Sequence, residues 1–205
     1  MHVRRTILAA VVLCVGCGDP QDSQTNTDLG PREDAICDFA GPKALCRASA
    51  EGVRAHIEEF GPLQKEMDWI ILDGFDPNDV EELKAVESVV QLQLTNLDSK
   101  NLGFLQKLAS ANRIRIERNF QLESLQGLES LEVVTESIEL RENVALESLT
   151  GLGALREIKA RGTGGGLRLL QNHGLTDLNG LDSLEQASVI HVQSNKGLES
   201  SGSFP

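Results

Sequence analysis

The stretch IRIERNFQLESLQGLESLEVV, residues 114–134, is followed by IELRENVALESLTGLGALREI at 138–158 and LRLLQNHGLTDLNGLDSLEQA at 167–187. Each copy opens apolar-x-apolar, from Ile114, Ile138 or Leu167, and reaches an asparagine five positions later, at Asn119, Asn143 or Asn172. Leucines follow at regular threes: Leu122, Leu125, Leu128 and Leu131, then Leu146, Leu149, Leu152 and Leu155, then Leu175, Leu178, Leu181 and Leu184. An earlier, less regular copy runs from Leu92 through Asn96, Leu102, Leu105 and Leu108. A partial last one runs through Ile190, Val192, Asn195 and Leu198. The asparagines at 96, 119, 143, 172 and 195 stand 23, 24, 29 and 23 residues apart, and the long interval holds the glycine-rich insertion at 161–166.

Such a period, with one short strand per unit, predicts an α/β repeat solenoid, because one unit cannot bury its own leucines and its neighbours must supply the missing walls. Successive strands then pair in parallel. Their inward pairs (Leu92 and Leu94, Ile114 and Ile116, Ile138 and Leu140, Leu167 and Leu169, Ile190 and Val192) form apolar columns with rungs about 4.8 Å apart. Each asparagine falls where the chain bends away from its strand, and its amide is expected to satisfy backbone groups left unpaired there. That role is structural, not catalytic.

An ordinary leucine-rich repeat places a leucine two positions after its asparagine, whereas the gap here is three, and the next strand begins four positions after Val134, at Ile138. With these spacings the three quoted segments resemble the receptor L-domain, the leucine-rich right-handed parallel β-helix of insulin-receptor and epidermal-growth-factor-receptor ectodomains and of many bacterial envelope proteins. The resemblance covers about residues 66–200. It implies extracellular recognition of a protein or other ligand, and its repeat carries no catalytic residues to transfer.

Ahead of the repeats, residues 43–60 place Leu45, Ala48, Val53, Ile57 and Phe60 at mostly helical spacings, with Gly61-Pro62 ending the run; one N-terminal capping helix is expected. Residues 69–72, WIIL, read as a strand, and Asp76-Pro77 as the start of a second helix. The acidic group Asp73, Asp76, Asn78 and Asp79 lacks the ligand spacing of a calcium loop, and helix capping explains it.

The first residues read as an address. Met1 to Arg5 is short and basic, an apolar run to Val15 is too brief to span a bilayer, and Gly16 sets a small residue before Cys17. This resembles a bacterial lipoprotein signal, with Cys14 where the lipobox usually has leucine. The resemblance implies removal of residues 1–16 and acylation of Cys17, which would anchor the protein in the bacterial cell envelope, in the outer membrane where there is one. Loss of Arg4 and Arg5 takes the net charge from −12 to −14. Cys37 and Cys46 are then the remaining thiols. A disulfide between them would stabilise the cap by about 2 to 3 kcal/mol, with two unpaired thiols as the alternative. The polar segment after Cys17, with two prolines and no apolar period, reads as a tether. The chain thus divides into signal peptide (1–16), lipid-anchored tether (17–35), helical cap (36–65), repeats (66–200) and tail (201–205). The final unit ends without a polar cap, so the strand near Ile190 is expected to lie uncovered; either the protein self-associates through that edge, or the chain is a shortened relative of a longer repeat protein.

Composition narrows the function. With 31 acidic against 19 basic residues and 3% aromatics, the chain repels phosphate backbones and offers few rings for base stacking, so a nucleic-acid partner is excluded. No catalytic signature, cofactor motif or metal-ligand spacing is found. The histidines at 56, 173 and 191 have no identifiable nucleophile partner, and a hydrolase built around His173 or His191 is the alternative reading. The insertion at 161–166 reads as a flexible bulge or a contact loop. Outward strand positions remain as the expected meeting surface. One column reads Ile71, Gln93, Arg115, Glu139, Arg168 and His191, and a second Asp73, Thr95, Glu117, Arg141, Leu170 and Gln193. Arg115, Glu139 and Arg168 are placed to pair across the sheet, for a few tenths of a kcal/mol each. Arg115, Glu139, Arg141, Arg168 and His191 are the candidate contact residues for an envelope or extracellular protein or glycan.

Overall fold

In a computed structural model of the protein the described residues are 10–13, 41–47, 49–159 and 165–201. They form, in chain order, β1 (Ala10–Leu13), β2 (Ala44–Arg47), α1 (Ala50–Phe60), β3 (Glu66–Asp73), β4 (Ser88–Thr95), β5 (Ser110–Glu117), β6 (Val133–Arg141), β7 (Glu157–Ile158), β8 (Gly166–Leu170), β9 (Gln186–Ala187), β10 (Val189–Gln193) and α2 (Lys196–Ser201). All ten strands belong to one mostly parallel sheet in the order β1-β10-β8-β6-β5-β4-β3-β2, while β7 and β9 extend a side ladder from β6. From β2 to β10, strands on the main path adjoin in the order of the chain.

Apolar columns fix the register. Ile70, Leu92, Ile114, Ile138, Leu167 and Ile190 are successive partners, as are Leu72, Leu94, Ile116, Leu140, Leu169 and Val192. All of them are buried except Ile190, which is half-buried against the same core. Because a one-residue slip would turn these side chains to the opposite face, the hydrophobic pattern locks each pairing. Most of the repeat leucines fill the rest of the core, with Leu178 and Leu181 at its margin.

A buried ladder of amides runs beside these columns. Asn143 Oδ1 accepts from both the backbone N–H and Nδ2 of Asn119, each at 3.1 Å, while Asn143 Nδ2 donates to the Ile116 carbonyl at 2.9 Å. Asn172 repeats the arrangement with Asn143 and the Leu140 carbonyl. Asn195 Oδ1 accepts from the Asn172 N–H, and its Nδ2 donates to the Leu169 carbonyl. The residue before each ladder position has a left-handed backbone, with φ between 52° and 57° at Asn96, Arg118, Glu142, Gln171 and Ser194. Asn96 therefore occupies the bend and not the ladder, one place earlier than the sequence count set it. The ladder position belongs to Leu97, whose N–H donates to Asn119 Oδ1 at 2.8 Å, and the Asn96 side chain instead donates to Asp73.

Other expectations also change. Residues 44–47 are strand β2, not the first turn of a helix: Leu45 continues the buried column beside Ile70, and α1 starts only after Ser49, whose hydroxyl accepts from the Gly52 N–H. Gly61 ends α1 as expected, with φ 86°. In place of a second helix the chain makes two 3₁₀ turns, Pro77–Asp79 and Glu81–Ala85; Asp76 still acts as a cap, accepting from the Asn78 N–H. The edge of β10 does not lie open. Residues 10–13, inside the leader segment, pair along it as β1, and the chain closes with α2. Cys17, the 17–35 segment, Cys37 and residues 202–205 lie outside the described residues.

Removing one amide from this ladder leaves several buried backbone groups without partners, each costing about 1 to 3 kcal/mol. Asn143→Ala is expected to lower unfolding free energy by about 3 kcal/mol or more, whereas exposed Asn96→Ala lowers it by about 1 kcal/mol. Urea denaturation of the full chain measures both; equal losses would contradict the distinction drawn between ladder and bend.

Candidate functional site

The outward positions align as the alternation requires. Ile71, Gln93, Arg115, Glu139, Arg168 and His191 are partners across six strands, and Asp73, Thr95, Glu117, Arg141, Leu170 and Gln193 form the next column. A third column, not anticipated from the sequence, reads Trp69, Gln91, Arg113, Ser137 and Gly166. Its side chains shrink from β5 to β8, and there the face sinks into a cavity of about 200 Å³, bordered by Arg113, Arg115, Glu136, Glu139 and Arg168 around Ser137 and Gly165.

Two local irregularities lie beside this hollow. Ala111 pairs with Val134 but Arg113 pairs with Ser137, so β6 carries one more residue than β5 across that interval, a β-bulge. Bulges re-aim side chains, and Glu136 in this one meets Arg113 at 2.6 Å. On the next strand Gly166, at φ 112°, has no alternative: a Cβ there would lie 2.2 Å from the Val189 carbonyl oxygen. The close approach of β10 thus requires a glycine there, next to Gly165, which borders the cavity. The 161–164 part of the insertion lies outside the described residues, and its last glycine belongs to β8.

The charges around the hollow are unevenly satisfied. Arg113 and Glu136 neutralise each other by a short hydrogen-bonded ion pair. Arg115 does not pair with Glu139 as expected; its Nε lies 3.4 Å from Glu117 on its own strand. Arg168 does face Glu139, at 3.8 Å, an ion-pair distance too long for a hydrogen bond. The Glu139 side chain is 16% exposed yet accepts no hydrogen bond among the described residues. Arg141 pairs with its neighbour Glu142 at 2.9 Å and does not border the cavity. His191 follows Arg168 in register and its Nε2 lies 3.2 Å from Gln193 Oε1. Of the candidate residues, Arg115, Glu139 and Arg168 are brought together, while Arg141 and His191 flank them.

Arg113, Glu136 and Ser137 were missed as site residues. The 24-residue spacing from Asn119 to Asn143 includes the extra residue of the bulge, but that number by itself does not locate it.

A larger, shallower hollow includes Asp76, Asn78, Lys100, Asn101 and Gln121, but its central amide is committed. Asn78 donates to Asp76, Ser99 and the Asn101 carbonyl and accepts from the Phe104 N–H, so it staples neighbouring units together. Among the described residues there is no group of three or more side chains able to hold a metal ion, and no helix long and apolar enough to cross a membrane. Cys46 is disulfide-bonded, and its partner lies outside the described residues. Compared with known proteins, the chain matches no protein-family model, no curated protein and no solved structure.

The buried titratable group stands apart from this face. His56 on α1 is 1% exposed, packs its ring 5.0 Å from that of Phe60, and has neither ring nitrogen hydrogen-bonded. Burial holds its pKa below the ordinary 6.5; Arg47 pushes the same way and Glu59 opposes. The unfolded chain therefore takes up this proton at higher pH than the folded one, and stability is lost as pH falls below about 6.5. His56→Phe is expected to remove that part of the acid sensitivity. Urea unfolding of both proteins at about pH 7.5 and about pH 5 measures it, and an unchanged difference between the two pH values would refute the assignment.

Proposed function

We propose that this is a bacterial cell-envelope lipoprotein whose repeats wind into a right-handed, receptor L-domain-like leucine-rich solenoid, and whose outer sheet face recognises a partner without catalysis. One observation carries the recognition reading: Arg115, Glu139 and Arg168 stand in register on a broad parallel sheet, beside a hollow, with their hydrogen-bonding capacity largely unspent. A sheet that only held itself together would be expected to consume those groups in cross-strand pairs, as Arg113 and Glu136 do. The parallel order of the strands and the continuous amide ladder support the solenoid reading. The partner is an envelope or extracellular protein or glycan.

Anchoring through Cys17 would hold the sheet face above the membrane on a tether of about 20 to 25 Å. Cleavage before Cys17 also removes β1 and uncovers β10, an edge then able to take a second copy.

Two experiments test the reading. Cys17→Ser is expected to abolish labelling by a fatty-acid analogue and to shift the protein from the membrane to the soluble fraction; continued labelling would refute the anchor. Crosslinking in intact cells should enrich a specific partner that is lost when Arg115, Arg141 and Arg168 are all reversed to glutamate. Equal recovery with the reversed face would refute recognition by this surface.

A further inference from the structure

The hollow over β5, β6 and β8 selects for more than one sign of charge. Its border holds three arginines and two glutamates, and the short Arg113–Glu136 pair removes one of each. What remains is the order Arg115, Glu139, Arg168 across three adjacent strands, positive, negative, positive, held only by the long contacts of Arg115 to Glu117 at 3.4 Å and of Arg168 to Glu139 at 3.8 Å. A simple anion placed here would gain the guanidinium donors but lie against the Glu139 carboxylate. A simple cation would gain Glu139 but stand between two arginines. Only a ligand carrying both charges close together answers all three groups.

Size narrows the class. About 200 Å³ accommodates a small head group and not a folded surface, and the floor is made by Ser137 and Gly165, with little apolar lining to hold a hydrocarbon. Strand spacing of about 4.8 Å sets the charged groups one strand apart, and Arg168 Nη1 lies 3.8 Å from Glu139 Oε2. An ammonium and a carboxylate attached to one carbon match that spacing: the ammonium donates to Glu139, which accepts no hydrogen bond among the described residues, and the carboxylate accepts from Arg115 or Arg168. We infer that this cavity binds a zwitterionic α-amino-acid head group, with Glu139 as the ammonium acceptor and Arg115 and Arg168 as the carboxylate donors. The inference rests on the recognition reading above and adds to the same face a small ligand, distinct from the macromolecular partner. The side chain of such a ligand points out of the hollow, so the head group is read more closely than what it carries. The site is open to solvent, so binding weakens as salt is raised.

Calorimetric titration of the full chain with alanine, N-acetylalanine, propionate and ethylamine tests this. Alanine is expected to bind saturably at millimolar concentrations, and each analogue lacking one charge at least about tenfold more weakly. Glu139→Gln, nearly isosteric, should weaken alanine binding about tenfold while leaving propionate unweakened; Arg168→Gln should weaken both. Circular dichroism confirms that each variant is folded, and Lys100→Gln, on a distant turn, serves as the unaltered control. Propionate binding as tightly as alanine would overturn the amino-acid assignment in favour of a plain anion site. No heat with any probe would overturn it outright. Either outcome leaves the partner capture experiment to stand or fall by itself, because that experiment reads the charged face and not the head group.

Discussion

A bend at the end of each strand is the constraint on which the rest depends. There the chain enters the left-handed region and leaves backbone N–H and carbonyl groups facing the interior, where no water can satisfy them. The neighbouring unit solves this with one side chain. An asparagine amide offers an acceptor and two donor hydrogens at one point, so Asn143 receives two bonds from Asn119 and returns one to the Ile116 carbonyl. No apolar residue could do both, and aspartate would bury a charge.

Because that satisfaction comes from the adjacent unit, it ties the units together as firmly as the apolar columns do. The two devices act on different errors. Leucine and isoleucine columns penalise a slip that turns the strand over, and the amides penalise a slip along the strand axis. At Leu97 the ladder ends: one N–H still reaches Asn119, but no buried amide continues toward β3, and Asn96 instead bonds Asp73 of β3 at the surface. The outer face inherits its order from this interior. Arg115, Glu139 and Arg168 are neighbours because Ile114, Ile138 and Leu167 are.

Departures from regularity are where the candidate site lies. A strand with no extra residue in β6 would present Arg113 to another position of the sheet, and a residue with a Cβ at 166 would collide with β10. The bulge brings Glu136 to the border of the hollow, and Gly166 follows Gly165, which also borders it. The bulge contributes one residue to the 24-residue interval from Asn119 to Asn143, and the insertion that ends at Gly166 lies in the 29-residue interval that follows.

The inward columns, the outward columns and the amide positions from Asn119 onward were readable in the residues, since strand alternation has a strict period of two and a buried amide is rare enough to stand out. The strand at 44–47 was not, because four residues of mixed polarity followed by a helix carry no period that separates them from its first turn; only pairing with β3 makes them a strand. The displacement of Asn96 was hidden for a related reason. Asparagine suits both a left-handed bend and a buried ladder, and spacing alone could not tell which of two adjacent places it held. Which side chains face in and which face out follows from local strand geometry, and so could be read from the residues alone. Which outward charges neutralise one another, and which are left with only long contacts around the hollow, could not be read that way, because those distances depend on how each strand pairs with its neighbours and on a bulge in one of them.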